Sequence, residues 1–165
     1  MPRLAIRWTV TVNAPVEQVF SYMREPENLF RAQGAGDPHV EVTDIKVTPE
    51  GAGTTGRNVF PLPGLKRLGI TGKVANEITE ILPGRRIAVK ISPLMGRMFK
   101  VDGTWTWTFE PENGRTKLIV DYTEWANWPV YVFDRLTEKR QTRGFGQAVA
   151  AWIESGVQAR DLSRG

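Results

Sequence analysis

The sequence predicts an α+β fold, a curved antiparallel sheet closed over by a long C-terminal helix. Three observations predict it. From Val40 to about residue 126 the chain is strand-like, and Gly, Pro or Asn punctuates it at short intervals. Beyond Pro129 it carries no further proline and spaces its apolar residues three and four apart. Two short helical stretches separate an opening strand from the rest. Six consecutive strands with short connections imply an antiparallel meander, and one long helix must cover its apolar face. At 165 residues the chain suits one domain, 1–165.

The elements follow in order. Residues 4–12, LAIRWTVTV, alternate and are rich in β-branched and aromatic types, which predicts a strand. Asn13 is a good N-cap, Pro15 fits a first turn and Glu17 places a favourable charge there. Val16, Val19, Phe20 and Met23 then fall at helical spacing, which predicts a helix over 14–23. A second short helix is expected over 26–32, with Leu29 and Phe30 apolar, and QGAGDP (33–38) is a loop. Strands are predicted over 40–48, 54–60, 69–81, 86–92, 99–110 and 115–126. The segment 130–160 reads as one helix, weakened in the middle by Gly144 and Gly146.

Two hairpins set their own register. Asn113-Gly114 is a strong two-residue turn signal. It makes Phe109 face Leu118, Trp107 face Val120, Trp105 face Tyr122 and Gly103 face Glu124. The opposite face is dominated by threonine, so the aromatic face belongs to the interior. Glu124 is the exception on that face. Either it is desolvated there, with room left by Gly103, or the strand ends near Tyr122 and Glu124 lies at a solvated rim. A desolvated, unpaired carboxylate would have a raised pKa and could exchange protons with a bound molecule. In the other hairpin Leu82-Pro83-Gly84-Arg85 suits a type II turn. Ile78 then faces Val89 and Asn76 faces Ile91, while Glu77 and Lys90 pair outside. Asn76 shares the inner face with Val74 and Ile78, as a ligand-orienting amide or a structural one.

The helix offers two stripes. One, through Phe133, Leu136, Arg140, Gly144, Gln147, Ala148 and Ala151, is small and polar. Missing bulk there, opposite large aromatics, predicts an unfilled space. The other, Phe145, Val149, Trp152 and Ile153, is a solid core face, so the space is expected at one end and the core at the other. Among six tryptophans, Trp125 and Trp128 flank the segment joining the last strand to the helix, where they would cap the mouth of such a space.

Composition excludes several function classes. With no cysteine there are no disulfides, thiol nucleophiles or cysteine metal sites, and one histidine, His39, rules out a histidine-rich metal site. No metal or cofactor is expected. No window approaches 18 apolar residues, so no transmembrane segment is expected, and the N-terminus lacks a signal-peptide pattern, making the cytoplasm the expected compartment. Gly51, Gly53 and Gly56 match G-x-G-x-x-G, but strand-like residues follow where a dinucleotide site needs a helix, so a hairpin turn is expected. Net charge is +4, with one basic cluster at Arg135, Lys139, Arg140 and Arg143, which is a solvated helix face or a site for an acidic partner. Nucleic acid is not an expected partner, because the aromatics lie on inner faces away from a basic stripe.

Four passages, VTVNAPVEQVFSYMREPENLFR, GAGTTGRNVF, ITEILPGRRIAVKI and GTWTWTFEPENGRTKLIVDYTEW, in this order over residues 5–158, resemble the START/Bet v 1-like (SRPBCC) superfamily, polyketide cyclase/dehydrase-like group. The resemblance implies a helix-grip fold whose internal cavity binds a hydrophobic, aromatic or polyketide-like small molecule. It transfers no catalytic set. As an enzyme the protein would assist cyclisation or dehydration, with Glu124 as acid/base, Tyr122 as hydroxyl donor, and Asn76 and Arg140 stabilising a carbonyl or enolate. Trp105, Trp107, Phe109, Val74, Ile78, Val89, Val120, Trp128, Phe133, Leu136 and Gly144 would line the cavity. The basic cluster would then meet an acidic acyl carrier protein, and the chain would act as a monomer or homodimer. The alternatives are a non-catalytic carrier or sequestering protein for a lipid, quinone or secondary metabolite, and an interaction module with a vestigial cavity.

Overall fold

The computed structural model describes residues 1–61, 66–94 and 101–164, without the side chains of Lys66, Val101, Phe133 and residues 137–142. The chain runs β1 (Arg3–Val12), α1 (Val16–Met23), α2 (Pro26–Ala32), β2 (Glu41–Lys46), β3 (Thr55–Pro61), β4 (Thr71–Leu82), β5 (Arg86–Pro93), β6 (Val101–Glu112), β7 (Arg115–Ala126), α3 (Trp128–Thr142) and α4 (Phe145–Arg164). All seven strands form one sheet in the order β1-β7-β6-β5-β4-β3-β2, and every neighbouring pair is antiparallel. The meander from β2 to β7 is thus completed by β1, which returns the chain's first strand to the side of its last. This is the α+β helix-grip architecture expected from the sequence.

The β6–β7 register is the one that Asn113-Gly114 demands. Both residues have positive φ, 51° and 78°, as the turn of a right-twisted hairpin requires. Glu112 pairs with Arg115, Phe109 with Leu118, Trp107 with Val120, Trp105 with Tyr122 and Gly103 with Glu124. The β4–β5 turn also forms, with Arg85 N–H donating to Leu82 O over 3.0 Å and Gly84 at φ 68°. Here the ladder closes Leu82 on Arg86, and an irregularity between Ile78 and Glu80 takes up the extra residue. Ile78 therefore still faces Val89, and Asn76 faces Ile91. Lys90 is register partner to Glu77, but its ammonium lies 3.5 Å from Asp102. The glycines Gly51 and Gly53 turn the chain between β2 and β3 at φ 82° and 85°, as a hairpin and not a nucleotide loop. His39 is exposed, and its backbone N–H bonds the Asp37 carboxylate.

Two local expectations are corrected. Helix α1 is capped by Pro15, with no side-chain hydrogen bond. Asn13 instead gives its backbone N–H to Glu154 of α4 over 2.7 Å. The C-terminal helix is two helices. Arg143 leaves helical geometry with ψ 117°, and Gly144 follows at φ 78°, a conformation glycine adopts without the steric penalty of a Cβ. The expected cost of Gly144 inside a helix is therefore not incurred, because Gly144 ends one.

The core is solid beneath α4. Its buried face is Val149, Ala150, Ile153 and Val157, close to the second of the two expected stripes. Trp107, Val120, Leu118, Val89 and Ile78 are almost fully buried there, and Phe109 meets Phe20 edge-on at 5.3 Å. Burying side chains of this size contributes roughly 1.5–3 kcal/mol each. Helix α4 approaches α1 closely enough that a Cβ on Gly156 would fall within the Tyr22 ring. That ring cannot easily yield, since Trp152 packs on it at 5.4 Å and the Arg160 guanidinium covers it at 5.0 Å. Alanine ordinarily stabilises a helix interior relative to glycine by roughly 0.5–1 kcal/mol. Gly156→Ala is expected to destabilise instead, by about 1–3 kcal/mol in urea unfolding; a stabilised variant would contradict this packing.

Candidate functional site

At the other end of the sheet the filling stops. A cleft of about 470 Å³ lies between β1, β6 and β7, the loop after α2, and the α3–α4 junction. Its sheet wall follows from pairing. Ile6, Tyr122 and Trp105 form one cross-strand row, and Leu4, Glu124 and Gly103 the next. Trp8 stacks on Trp105, with centroids 5.9 Å apart and planes 11° from parallel. Phe145, at the start of α4, closes on both rings at 4.6 and 5.6 Å, and Tyr122 lies 4.6 Å from Trp105. The result is an aromatic slot with flat faces, suited to planar apolar molecules.

Glu124 sits in this wall only 3% exposed, which decides between the buried and rim readings. The space over Gly103 is not empty: a Cβ there would meet Ile91 Cγ1 at 2.7 Å, so Ile91 fills it and helps to desolvate the carboxyl. The Tyr122 hydroxyl donates to Glu124 Oε2. The other oxygen, Oε1, is buried, and no N–H or hydroxyl among the described residues donates to it. Burial first, then the adjoining Glu124 and the hydrogen bond to it, pushes the Tyr122 phenol well above its usual range.

The partner that completes the site is Asp134, on α3. Its carboxyl shares a hydrogen bond with Glu124, and its pKa is pushed up to about 7. Burial is the largest cause, followed by the Glu124 charge and that hydrogen bond. Two carboxyls in contact away from water cannot both ionise cheaply, so the pair retains a proton into the neutral range. Tyr122, Glu124 and Asp134 thus form a hydrogen-bonded acid cluster lining the cleft. Arg143 lines it too, brought there by the break before Gly144. Among the described residues no group of three potential ligands is placed to hold a metal.

Of the residues expected to act in chemistry, Glu124 and Tyr122 meet in the cleft, and Asn76 does not line it. Asn76 Nδ2 bonds Asn58 Oδ1 at 3.1 Å, and Asn58 Nδ2 bonds Phe30 O at 2.8 Å. That chain ties the sheet to α2 through Asn76 Nδ2, while Asn76 Oδ1 is buried with no hydrogen-bond partner among the described residues and Asn76 lines a second cleft of about 500 Å³. The Arg140 and Phe133 side chains lie outside the described residues. Of the expected wall, Trp105 and Gly144 line the cleft. Trp107, Phe109, Ile78, Val89 and Val120 are buried in the solid core instead, and Val74 packs against it half-buried. Trp128 and Leu136 are 67% and 80% exposed: the turn of α3 carries them outward while Asp134 comes in. Trp125 lies under Arg3 at 5.7 Å, also outside the cleft. Trp8 and Ile6 were within reach of sequence reading, since β1 alternates and its inner face is apolar. Nothing in the spacing of α3 marks Asp134.

The raised pKa of Asp134 has a consequence for stability. Between its ordinary 3.8 and about 7 the folded chain holds a proton that the unfolded chain has released. This contribution to stability is present at low pH and is lost as the pH rises through 7. The difference between the wild-type and Asp134→Asn melting temperatures is therefore expected to fall from pH 4 to pH 8; parallel curves would contradict the assignment.

Comparison with known proteins bears on the fold. No curated protein matches the sequence. Among solved structures, the Zhui aromatase/cyclase from Streptomyces sp. R1128 superposes with a TM-score of 0.65 at 17% identity, over 93% of this chain and 94% of that one. Ara h 8.0201 gives 0.63 at 18%, over 93% and 99%. Truncated norcoclaurine synthase from Thalictrum flavum gives 0.59 at 17%, over 93% and 92%. At these identities the likeness shows a shared Bet v 1-like fold. The family described as "Polyketide cyclase / dehydrase and lipid transport" matches residues 3–158, nearly the whole chain, and the chain belongs to that family.

Proposed function

We propose that the cleft binds a planar, largely apolar, polyketide-like molecule, and that the Glu124–Asp134 pair moves protons on it during cyclisation or dehydration. The observation that carries this reading is the buried Glu124 carboxyl. One oxygen is held by the Tyr122 hydroxyl, and the Asp134 carboxyl shares a hydrogen bond with the same group, beside a cleft walled by aromatic rings. Such a group is costly to keep unless something uses it.

The chemistry follows from the pair. A carbon beside a carbonyl gives up a proton to the ionised member, and the resulting enolate carbon attacks a second carbonyl of the same molecule. The new alkoxide takes a proton from the protonated member. In dehydration the same two groups remove the α proton and protonate the departing hydroxyl, which leaves as water. A carboxyl held at about 7 serves both directions at neutral pH. The aromatic slot supports a folded, flat conformation, which is where most of the rate advantage of an intramolecular closure lies. Tyr122, its phenol held protonated by burial and the adjoining carboxylate, keeps Glu124 oriented by donating to it. An acidic acyl carrier protein delivering the substrate belongs to this reading, with exposed Arg143 the one cation among the described residues that line the cleft.

The test offers a short poly-β-ketone thioester and follows products by mass spectrometry, with native spectra of the purified protein to identify any retained ligand. A cyclised or dehydrated product is expected. Glu124→Gln should slow it about a hundredfold, within the range for removing a general acid or base, while changing affinity little. Ala148→Phe, at a cleft-lining position, should abolish binding without unfolding the chain. Undiminished turnover in Glu124→Gln would refute the acid/base role, and tight binding without turnover would make the protein a carrier.

A further inference from the structure

Helix α3 has two faces of opposite character. Asp134 turns inward to Glu124. Trp128, Val132 and Leu136 recur at four-residue steps, and at 3.6 residues per turn they fall on the side of α3 away from Asp134. All three are exposed. The Trp128 indole is braced there by Tyr131, whose ring meets it edge-on at 5.7 Å. One exposed apolar side chain is ordinary, whereas a contiguous run of them marks a surface that meets something.

The run continues across one end of the sheet. Thr71 opens β4, Pro93 closes β5, Val101 opens β6 and Ala126 closes β7, so these strand ends lie side by side, and α3 starts just beyond the last of them. Here Ile70, Leu94 and Trp125 are exposed, as is Leu68 just before β4. With the α3 stripe they make seven of the eleven exposed large apolar side chains among the described residues, gathered at one end. Cations surround them. Arg3, Arg67, Lys73, Arg135 and Arg143 are exposed, and the Arg3 guanidinium lies over the Trp125 ring at 5.7 Å. Residues 134–143 carry four arginines and lysines against two acids, one of them the inward Asp134. At the ends of β1 and β4–β7 the one exposed acid among the described residues is Asp102, whose charge Lys90 meets at 3.5 Å.

We propose that this end of the molecule docks on an anionic bilayer surface: the Trp128–Val132–Leu136 stripe and the adjoining sheet end enter the headgroup boundary, and the surrounding cations meet lipid phosphates. The apolar side chains project from a helix and from several strand ends, not from one groove shaped for a partner. A bilayer demands no matching shape, takes indole rings at its interface and attracts Arg and Lys when its lipids are anionic. No helix among the described residues is long and apolar enough to cross a membrane, so the association is with the surface. The inference goes beyond the proposed reaction and does not depend on it. The two meet in α3, which lines the cleft through Asp134 and carries the docking stripe on its other side.

Co-sedimentation tests this with vesicles of phosphatidylcholine alone and of phosphatidylcholine mixed with phosphatidylglycerol. The wild-type protein is expected to bind the anionic vesicles about tenfold more tightly, with the difference shrinking as salt is raised. A double variant, Trp128→Ser with Leu136→Ser, should lose about tenfold of that binding at an unchanged melting temperature, since both side chains are exposed. Arg67→Glu should weaken binding to the anionic vesicles and leave the neutral ones unaffected. Failure of anionic vesicles to retain the wild-type protein, or undiminished retention of the folded double variant, would overturn the proposal. So would a dimer in gel filtration that the double variant dissolves, which gives the stripe to a second copy. A complex with an acidic acyl carrier protein that the double variant loses, formed by a wild-type protein that ignores vesicles, would overturn it in favour of that carrier.

Discussion

The site depends on the register of one hairpin. Side chains alternate across a strand, so a slip of one residue by β7 against β6 would turn Val120 and Glu124 away from the face that carries Trp105 and Trp107 and bring Asp121 and Thr123 to it. Asn113 and Gly114, both at positive φ, remove that freedom. The same pairing that buries Trp107 and Leu118 as core therefore buries Glu124 farther along. The carboxyl is not an intruder tolerated in an apolar face; it is where the two-residue count from the turn must put it. Its desolvation then comes from neighbours in the same rows, Leu4 on β1 and Ile91 over Gly103.

The second requirement is the break between α3 and α4. An unbroken helix over 130–160 would continue the line of α4 across the sheet. Ending α3 at Arg143–Gly144 lets it take a different course, with Asp134 turned to Glu124 and Arg143 brought to the cleft. The sheet thus supplies the buried acid, the broken helix supplies its partner, and the loop after α2 closes the remaining side. Electrostatics and packing act together: the rings that would hold a flat ligand also exclude the water that would otherwise solvate both carboxyls.

Much of this was readable from the residues, and what was not has a physical reason. The hairpin registers were legible because turn type and strand alternation are local and strict. Even the displaced β4–β5 closure returned to the expected pairing, since an irregularity past Ile78 absorbed it. The buried state of Glu124 was left open because burial depends on β1 returning beside β7, a long-range pairing. Asp134 escaped notice because its inward face is set by a helix break that spacing reads only as weakness. Asn76 read equally as a ligand-orienting or a structural amide, because its partner Asn58, which accepts from its Nδ2, lies 18 residues away on another strand. The core face of α4 was legible as a stripe, whereas the wall was assigned too far along the sheet, into positions that pack solidly.

The central claim is a carboxyl pair that keeps one proton near neutral pH inside an aromatic cleft. Carbon-13 NMR of protein labelled at the Asp and Glu carboxyl carbons, titrated from pH 3 to 9, examines it directly. The account predicts an aspartate carboxyl, absent from spectra of Asp134→Asn, that titrates near 7 and responds to Glu124→Gln. Complete ionisation of every aspartate and glutamate below pH 5 would contradict it.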